Sequence, residues 1–360
     1  MTRFSFFSVF RLVIRLVIIL CLFPASFPTG NCAHASLLMP GGVFLSQSES
    51  TTGEDPPSDT GLPSGPLAQK KSDNRVTARF YAGVNYRVDE LNWNIAGNMD
   101  GTNPNILSEL TWEDLNIYEF SLGFSSLVKK TVYFRAYMNY GRVFSGENQD
   151  SDYNSDNRQD EWSRSNNSTD DGNTIDVSLG AGLILPLFSD VLTIMPMVGL
   201  SYHSQSLTMT DGYQTIPNTG PFPGLDSTYE AEWRGPWVGL EIQLDMETGQ
   251  RFVPRIYPFA GFEYHWALYD AKADWNLRED FDHPLSFEHE AEGNGIRIVA
   301  GLGAYLSESW SLEVGYTQQS WSIEDGTDRV YFSDGTYGET RLNEVNWDSR
   351  SLGLAIRYQF

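Results

Sequence analysis

The side chains most able to do chemistry in this sequence are carboxylates, since 47 acidic residues stand against 24 basic ones. Asp150 and Asp152 stand two positions apart, and Tyr153 follows them. A spacing of two places both carboxylates on one face of a β-strand. The alternative interpretation is a solvated, aspartate-rich loop, in which a chance Asp-x-Asp is easy to find.

Histidine is the side chain that exchanges a proton near neutral pH, so its positions matter for any acid–base chemistry. His203 and His265 lie within segments of alternating polarity and are expected inside the fold, while His289 lies farther along the chain. His283 follows Asp274 in loop-like sequence. We expect it to lie too far from Asp274 for a hydrogen bond of about 3 Å.

Other common chemistries lack their motifs. The sequence has no Gly-Lys-Ser/Thr phosphate loop, no His-Glu-x-x-His and no Gly-x-Ser-x-Gly. It also lacks the spacing of an EF-hand, although acidic loops could bind calcium weakly. We therefore expect no cofactor and no dedicated metal site. A formal charge of −23 excludes nucleic acid as a partner, because the phosphate backbone would be repelled.

Alternation of apolar and polar residues runs through most of the chain and predicts β-strands. Such segments occupy residues 76–88, 118–124, 132–140, 175–185, 194–202, 238–244, 262–268, 296–306, 310–316 and 352–360. Short connections alternate with long, acidic ones such as 145–173. This arrangement predicts an all-β fold: a closed, antiparallel transmembrane barrel of ten strands, with short periplasmic turns and long extracellular loops.

A soluble β-sandwich would also show alternating strands. Its core would not tolerate so charged a second face. Aromatic residues near the segment ends are typical of the interface girdles of membrane barrels, here Trp112, Trp266, Trp310, Trp347 and Tyr358. The chain ends on Phe360, which resembles the signal read by the barrel assembly machinery. Outer-membrane lipid is then the surrounding partner.

The first 35 residues are typical of a signal peptide. Arg3, Arg11 and Arg15 precede the apolar run from Leu16 to Phe23, and Ala33-His34-Ala35 offers a cleavage site. A lipoprotein signal around Cys32 is the alternative. Residues 36–74 read as a flexible polar leader, and 75–360 as the barrel. Loss of three arginines takes the formal charge from −23 to −26.

The polar face of the strands carries charges of both signs, which the barrel would turn into its lumen: Arg79, Arg135, Arg297, Arg357, Glu119, Glu241, Glu263 and Glu313. Buried charges need partners. We therefore expect a packed ionic network that blocks the lumen, with any function located at the loop end.

Ten strands, long outer loops and a charged interior resemble the omptin family, the barrel proteases of bacterial outer membranes. Residues 103–112, Asn-Pro-Asn-Ile-Leu-Ser-Glu-Leu-Thr-Trp, also look like the omptin-related group called Protochlamydia outer membrane proteins. The resemblance covers about residues 76–360. It implies a place in the outer membrane of a Gram-negative bacterium, with lipopolysaccharide as a possible lipid partner.

The resemblance also implies a site. Omptins carry an Asp-x-Asp pair on the third strand, matched by Asp150 and Asp152, and an Asp-x-His pair on the seventh, matched by Asp274 and Asn276. An amide cannot act as general base, and His283 is the possible displaced base. Strict alternation puts Asp150 and Asp274 in the outward phase.

Two β-bulges would be needed to turn these aspartates inward, one near Gly146 and one near Asp270. From the missing histidine we predict a non-catalytic surface protein that acts through acidic extracellular loops in recognition, adhesion or envelope structure. The alternative is an omptin-like endopeptidase that cleaves near basic residues. An acidic groove favours basic peptides under either interpretation.

Overall fold

The computed structural model describes residues 76–187 and 191–360. The predicted signal peptide and leader lie outside the described residues, as does part of the turn that ends at residue 190. No helix among the described residues is long and apolar enough to cross a membrane.

The described chain forms antiparallel strands. In chain order they are β1 (Val76–Ile95), β2 (Ser108–Val128), β3 (Val132–Ser155), β4 (Gln159–Ser168), β5 (Gly172–Leu183), β6 (Leu185–Leu187), β7 (Leu192–Ile216), β8 (Gly220–Pro221), β9 (Ser227–Leu244), β10 (Met246–Glu247), β11 (Arg255–Asp274), β12 (Phe287–Tyr305), β13 (Trp310–Tyr331) and β14 (Tyr337–Gln359).

Ten of these strands close into a ring. Its order is β1-β2-β3-β5-β7-β9-β11-β12-β13-β14, and β14 pairs with β1 from Arg79 opposite Gln359 to Ile95 opposite Leu342. The predicted closed barrel is confirmed. The strands β4, β6, β8 and β10 are additions to the ring. Because β5 is half as long as β3 and β7, β4 continues its ladder between their upper parts.

The connections differ in length at the two ends of the barrel. We call the end with the short connections, such as 129–131 and 306–309, the turn end, and the opposite end the loop end. The stretch 145–173, expected as a long loop, is mostly strand, because β3 runs on to Ser155 and turns directly into β4. In an outer-membrane barrel the loop end faces the outside.

The outer wall is apolar over the middle of the barrel. Val84, Leu122 and Leu354 are typical, with exposed fractions of 61%, 49% and 46%. A closed sheet with an apolar outer band is suited to lipid. The girdle prediction is only partly right: Trp266 and Trp310 are exposed on this wall, whereas Trp112 and Trp347 are wholly buried inside.

The interior near mid-height is ionic, and we call the cluster of Arg87, Asp89, Glu119 and Asp176 the ionic layer. Arg87, fully buried, donates to Asp89 at 2.6 Å, to Asp176 at 2.7 Å and to Glu119 at 3.0 Å. Closer to the turn end, Arg135 binds Glu241 and Glu263, Arg297 binds Glu263, and Arg357 binds Glu313. The expected network of inward charges is therefore present. Arg79 is an exception, since its guanidinium donates to the neutral amide of Gln359.

Above the ionic layer, the loop half of the barrel is filled by aromatic side chains. We call this the tryptophan core: Trp93, Trp112, Trp233, Trp321 and Trp347, packed with Tyr229 and Tyr269. Trp321 and Trp347 stack with their ring centroids 5.6 Å apart. Dense packing of this kind obstructs the loop half of the barrel.

We expect planar-bilayer recordings of the refolded protein to show no large, steady conductance, because the ionic layer and the tryptophan core fill the barrel in succession. Heat-denatured protein is the control for leakage caused by detergent or unfolded chain. Stable steps of porin size from the folded protein alone would contradict this description of the interior.

The Arg87→Ala variant should lose about 3–5 kcal/mol of unfolding free energy, because three buried carboxylates would lose their shared cation. Urea unfolding in lipid vesicles measures it. The matched control is Arg142→Ala, whose ion pair with Asp171 is exposed and should be worth about 0–1 kcal/mol. A loss at Arg87 no larger than at Arg142 would count against the ionic layer as a stabilising element.

Candidate functional site

The upper part of β3 points its even-numbered residues inward because the strand has one extra residue. Ile117 of β2 pairs with Val143, but the preceding Asn116 pairs with Ser145, so Phe144 is a bulge. Val143 is buried before the bulge, and Asn148 is buried after it. The bulge predicted near Gly146 is confirmed. It turns Asp150 and Asp152 toward the opening at the loop end, which we call the mouth.

Asp150 and Asp152 form a carboxylate pair at this mouth, half-buried and with few cations nearby. Asp150 accepts a hydrogen bond from the indole of Trp275, and Arg278 supplies positive charge to both aspartates. Asp152 also accepts hydrogen bonds from Ser108 and Ser163, its neighbours on β2 and β4.

The two aspartates compete for a proton. Burial, followed by repulsion from Asp152, raises the pKa of Asp150 to about 8. Burial also raises the pKa of Asp152. The pair therefore carries less than its full negative charge at neutral pH, and a bound cation would favour the loss of the shared proton.

Tyr153, the aromatic residue that follows the pair, is buried with its hydroxyl donating to Glu109 at 2.6 Å. Glu109 also forms an ion pair with Arg158 of the β3–β4 turn, whose Nη2 lies 2.8 Å from Oε2 of Glu109. Tyr153 therefore braces the base of the hairpin that carries the pair, and its hydroxyl is already engaged.

Strand β11 has no bulge, contrary to the second expectation. Its pairing with β12 runs without a shift from Arg255 to Ala273, and the odd-numbered Tyr269, Ala271 and Ala273 face inward. Asp274 thus keeps the outward phase. The next inward residue is Trp275, whose ring packs on Phe287 with the centroids 4.7 Å apart.

His283 does contact Asp274, so the expected separation is wrong. Its Nδ1 lies 2.5 Å from Oδ1 of Asp274. The β11–β12 connection is compact, with Arg278 N donating to Trp275 O and Phe281 N to Arg278 O, and it returns His283 beside the end of β11. The hydrogen bond to Asp274 raises the pKa of this exposed histidine.

The Asp274–His283 dyad and the carboxylate pair differ in the charges that act on them. The charges around His283 are those of Asp274 and Asp282, and its ring also forms a hydrogen bond with the backbone of Arg278, whereas the pair responds to the charge of Arg278. Over residues 76–187 and 191–360, no three His, Asp or Glu side chains converge closely enough to hold a metal ion. The groups that act on Asp150 are Trp275, which donates a hydrogen bond, Arg278, and the neighbouring Asp152.

Asn276, at the position matched to the omptin histidine, joins two loops. Its Oδ1 accepts from Asp226 N and Ser227 Oγ, each at 3.0 Å, and its Nδ2 donates to Gly224 O at 2.7 Å. All of these partners lie in or beside the β8–β9 connection. Every polar atom of the amide is used in fixing the rim of the mouth.

The remaining histidines are interior. His203 contacts Asp176 at 2.8 Å, and His265 contacts Ser201 at 3.0 Å, so their predicted inward placement is confirmed. His289 is buried too, 3.0 Å from the hydroxyl of Tyr229. None of the three reaches the mouth.

Sequence reasoning did not single out Trp275 or Arg278. The signal was the inward row of small residues, Ala271 and Ala273, which continues to position 275 once no bulge is assumed. Arg278 carries no such signal, because its approach to the pair depends on how the β11–β12 connection folds.

A closed strand ring with an apolar wall and a charged and aromatic interior defines a bacterial outer-membrane β-barrel protein. Residues 81–360 match the family model described as Protochlamydia outer membrane protein, and the chain belongs to that family. No curated protein matches the sequence.

Among solved structures, the chain is similar to the outer membrane protease OmpT from Escherichia coli, with 14% identity and a TM-score of 0.60. The match covers 81% of this chain and 98% of that chain. The translocator domain of the autotransporter NalP from Neisseria meningitidis also matches, with 14% identity, a TM-score of 0.36 and coverage of 79% and 88%. At this identity, the likeness to OmpT concerns the fold.

The free energy of unfolding should fall as pH rises from the pKa of Asp150 in the unfolded chain to its higher pKa in the folded protein. The folded state keeps a proton up to about pH 8, whereas the unfolded chain releases it near the ordinary value of 3.8. The Asp150→Asn variant removes this dependence, so its thermal midpoint on unboiled gels should decline less across that window. Glu147→Gln, on the outer face of β3, is the control. Equal slopes for Asp150→Asn and the wild type would refute the assignment.

Proposed function

We propose that this outer-membrane protein binds basic peptides, or Lys- and Arg-rich surfaces, at its extracellular mouth and does not cleave them. The observation that carries the proposal is the direction in which β11 turns its last residues. Asp150 and Asp152 interact with Trp275 and Arg278, while Asp274 keeps the outward phase and pairs with His283.

The chemistry of the mouth favours a cation. A carboxylate pair offers charge-assisted hydrogen bonds to a guanidinium or an ammonium group. The indole of Trp275 adds an aromatic surface beside Asp150. The large negative charge of the chain would draw cationic partners toward the membrane surface before they bind.

Arg278 fits the same scheme as an internal competitor. Its guanidinium is held by Asp280 at 2.9 and 3.0 Å, while its charge also acts on Asp150 and Asp152. About half of this side chain is exposed. An incoming basic side chain could replace its influence on the pair without breaking its link to Asp280.

Among residues 76–187 and 191–360, no histidine or carboxylate other than Asp152 is recorded as acting on Asp150, which supports binding over cleavage. General base catalysis needs a proton acceptor within hydrogen-bond reach of the attacking water. The residue that faces Asp150 is an indole donor, and the amide of Asn276 is fully engaged. The acidic rim then serves recognition, adhesion or envelope structure.

The endopeptidase remains the second candidate because of one observation, the 2.5 Å contact between His283 and Asp274. A carboxylate that orients a histidine and raises its pKa is the arrangement that lets the histidine act as general base in many hydrolases. To act with Asp150 and Asp152, the dyad would have to move to the inner side of β11.

Two further partners belong to the proposal. Phe360 is exposed at the end of the chain and packs against Phe80 and Tyr358, which suits recognition by the barrel assembly machinery. The apolar wall and the polar rim above it suit lipopolysaccharide as a lipid partner. No cofactor is proposed.

Refolded protein in lipopolysaccharide-containing vesicles should bind a fluorescent peptide with an Arg-Arg pair and leave it intact by mass spectrometry. Asp150→Asn and Asp152→Asn should each weaken binding by about tenfold or more, because each removes a charged acceptor. Glu147→Gln is the control, and a Gln-Gln peptide measures nonspecific association.

Cleavage is the result that would overturn the proposal. If the peptide is cut and the activity disappears in Asp274→Ala and in His283→Ala, the endopeptidase is established with His283 as its base. Cleavage that persists in both variants indicates a contaminating protease. An affinity that neither Asp150→Asn nor Asp152→Asn changes would remove the mouth from the binding site.

A further inference from the structure

A second site is suggested by the interior below the ionic layer. A cavity of about 650 Å³ extends from Lys130 and Asp245 at the turn end to the level of Arg87 and Asp176. Its volume is in the range of small-molecule sites. On the loop side it is bounded by the Arg87 cluster, above which lies the tryptophan core. A ligand would therefore reach it from the turn end, which faces the periplasm.

Arginines dominate the middle of this cavity. Arg79, Arg135, Arg297 and Arg357 all line it. Their carboxylate partners are fewer, because Glu263 is shared between Arg135 and Arg297, and the others are Glu241 and Glu313. In the part of the chain that the structure describes, Arg79 is paired only with the neutral Gln359. Over the whole lining of the cavity, seven basic side chains stand against five carboxylates, since Glu119, Asp176 and Asp245 also line it. The cavity thus has a modest excess of positive charge in a strongly acidic protein.

The guanidinium groups are held in place by aromatic rings. Arg135 and Arg297 lie over the ring of Tyr137, at 5.6 and 5.1 Å from its centroid. Arg357 lies 5.9 Å from the ring centroid of Tyr81 and 6.0 Å from that of Tyr257. Fixed cations lose little freedom when a ligand binds, so such a cavity is organised in advance.

Hydrogen-bonding capacity is also left over. Among the described residues, Nε of Arg135 and Nε of Arg357 have no acceptor. The side-chain oxygen of Gln319, another lining residue that is almost wholly buried, has no donor. Buried polar groups are normally satisfied by protein, water or a ligand. Unused groups around a cationic void point to a polar ligand.

We infer that this cavity binds a compact polyvalent anion of the phosphate or carboxylate class, taken up from the periplasmic side. Arg79 provides the uncompensated charge, and Arg135, Arg297 and Arg357 surround the remaining space. A polyvalent anion matches several fixed guanidinium groups better than a monovalent one, because each pair adds a charge-assisted hydrogen bond.

The first measurement uses inorganic pyrophosphate as the probe, with calorimetry on the refolded chain beginning at Ser36. Wild-type protein should bind it, and Arg79→Gln should weaken binding by about tenfold or more. Arg142→Gln, an exposed arginine outside the cavity, is the matched control and should bind like the wild type. No binding, or an equal loss in both variants, would overturn the proposal.

The second measurement does not depend on replacing an arginine. Because both cysteines of the sequence precede residue 36, a single Thr77→Cys substitution gives one reactive thiol at the cavity. Pyrophosphate should slow its reaction with maleimide, whereas Ser333→Cys at the loop end should react at an unchanged rate. Protection at both positions, or at neither, would contradict a site within the turn half.

Removal of residues 36–74 is a third test. The shortened chain should bind pyrophosphate as the chain from Ser36 does, whereas loss of binding in the shortened chain would place the site on the leader and overturn the inference.

Discussion

Closure of the ring between β1 and β14 fixes, for each residue, whether its side chain meets the lipid or the interior. Inside this constraint only an extra residue can move a side chain across the wall. The bulge at Phe144 does so for the upper part of β3 and brings Asp150 and Asp152 to the mouth. Strand β11 has no such residue, so Asp274 stays outside. The geometry of the site follows from these two facts.

The interior is divided by polarity along the barrel axis. Charged side chains occupy the middle and the turn half, where arginines and carboxylates neutralise one another in part. Aromatic side chains occupy the loop half. Burying ions is costly unless they are paired, whereas tryptophan fills volume at little electrostatic cost. The tryptophan core therefore lies between the mouth and the cavity of the turn half.

The architecture could be predicted from the sequence. The ten strands show in the two-residue alternation of apolar and polar side chains, and the inward ionic network shows in the opposite charges on the polar face. The tryptophan core was less accessible: Trp112 and Trp347 stand near segment ends, where a tryptophan is equally typical of a membrane interface. The sequence predicted that a bulge in β3 would be needed to turn Asp150 inward, and that bulge is present. The corresponding bulge predicted for β11 is absent. Pairing registers arise from contacts between distant strands, which a single sequence does not display.

The contact between His283 and Asp274 could not be foreseen either, since it depends on the path of the β11–β12 connection. That path is set by backbone hydrogen bonds within the turn and by Ser286, whose hydroxyl accepts from Trp275 N at 2.9 Å. Loop-like composition gives the length of such a connection and not its course. The same holds for Arg278, which reaches the carboxylate pair only because the connection is compact.

The unshifted register of β11 has an evolutionary consequence. Insertion of a single codon ahead of Asp274 would exchange odd for even positions at the end of the strand. Asp274 would then turn to the inner side, and Trp275 would move toward the outer one. The parity of a residue count in β11 therefore decides whether Asp274 or Trp275 stands on the same side as Asp150. A single insertion or deletion would exchange the two.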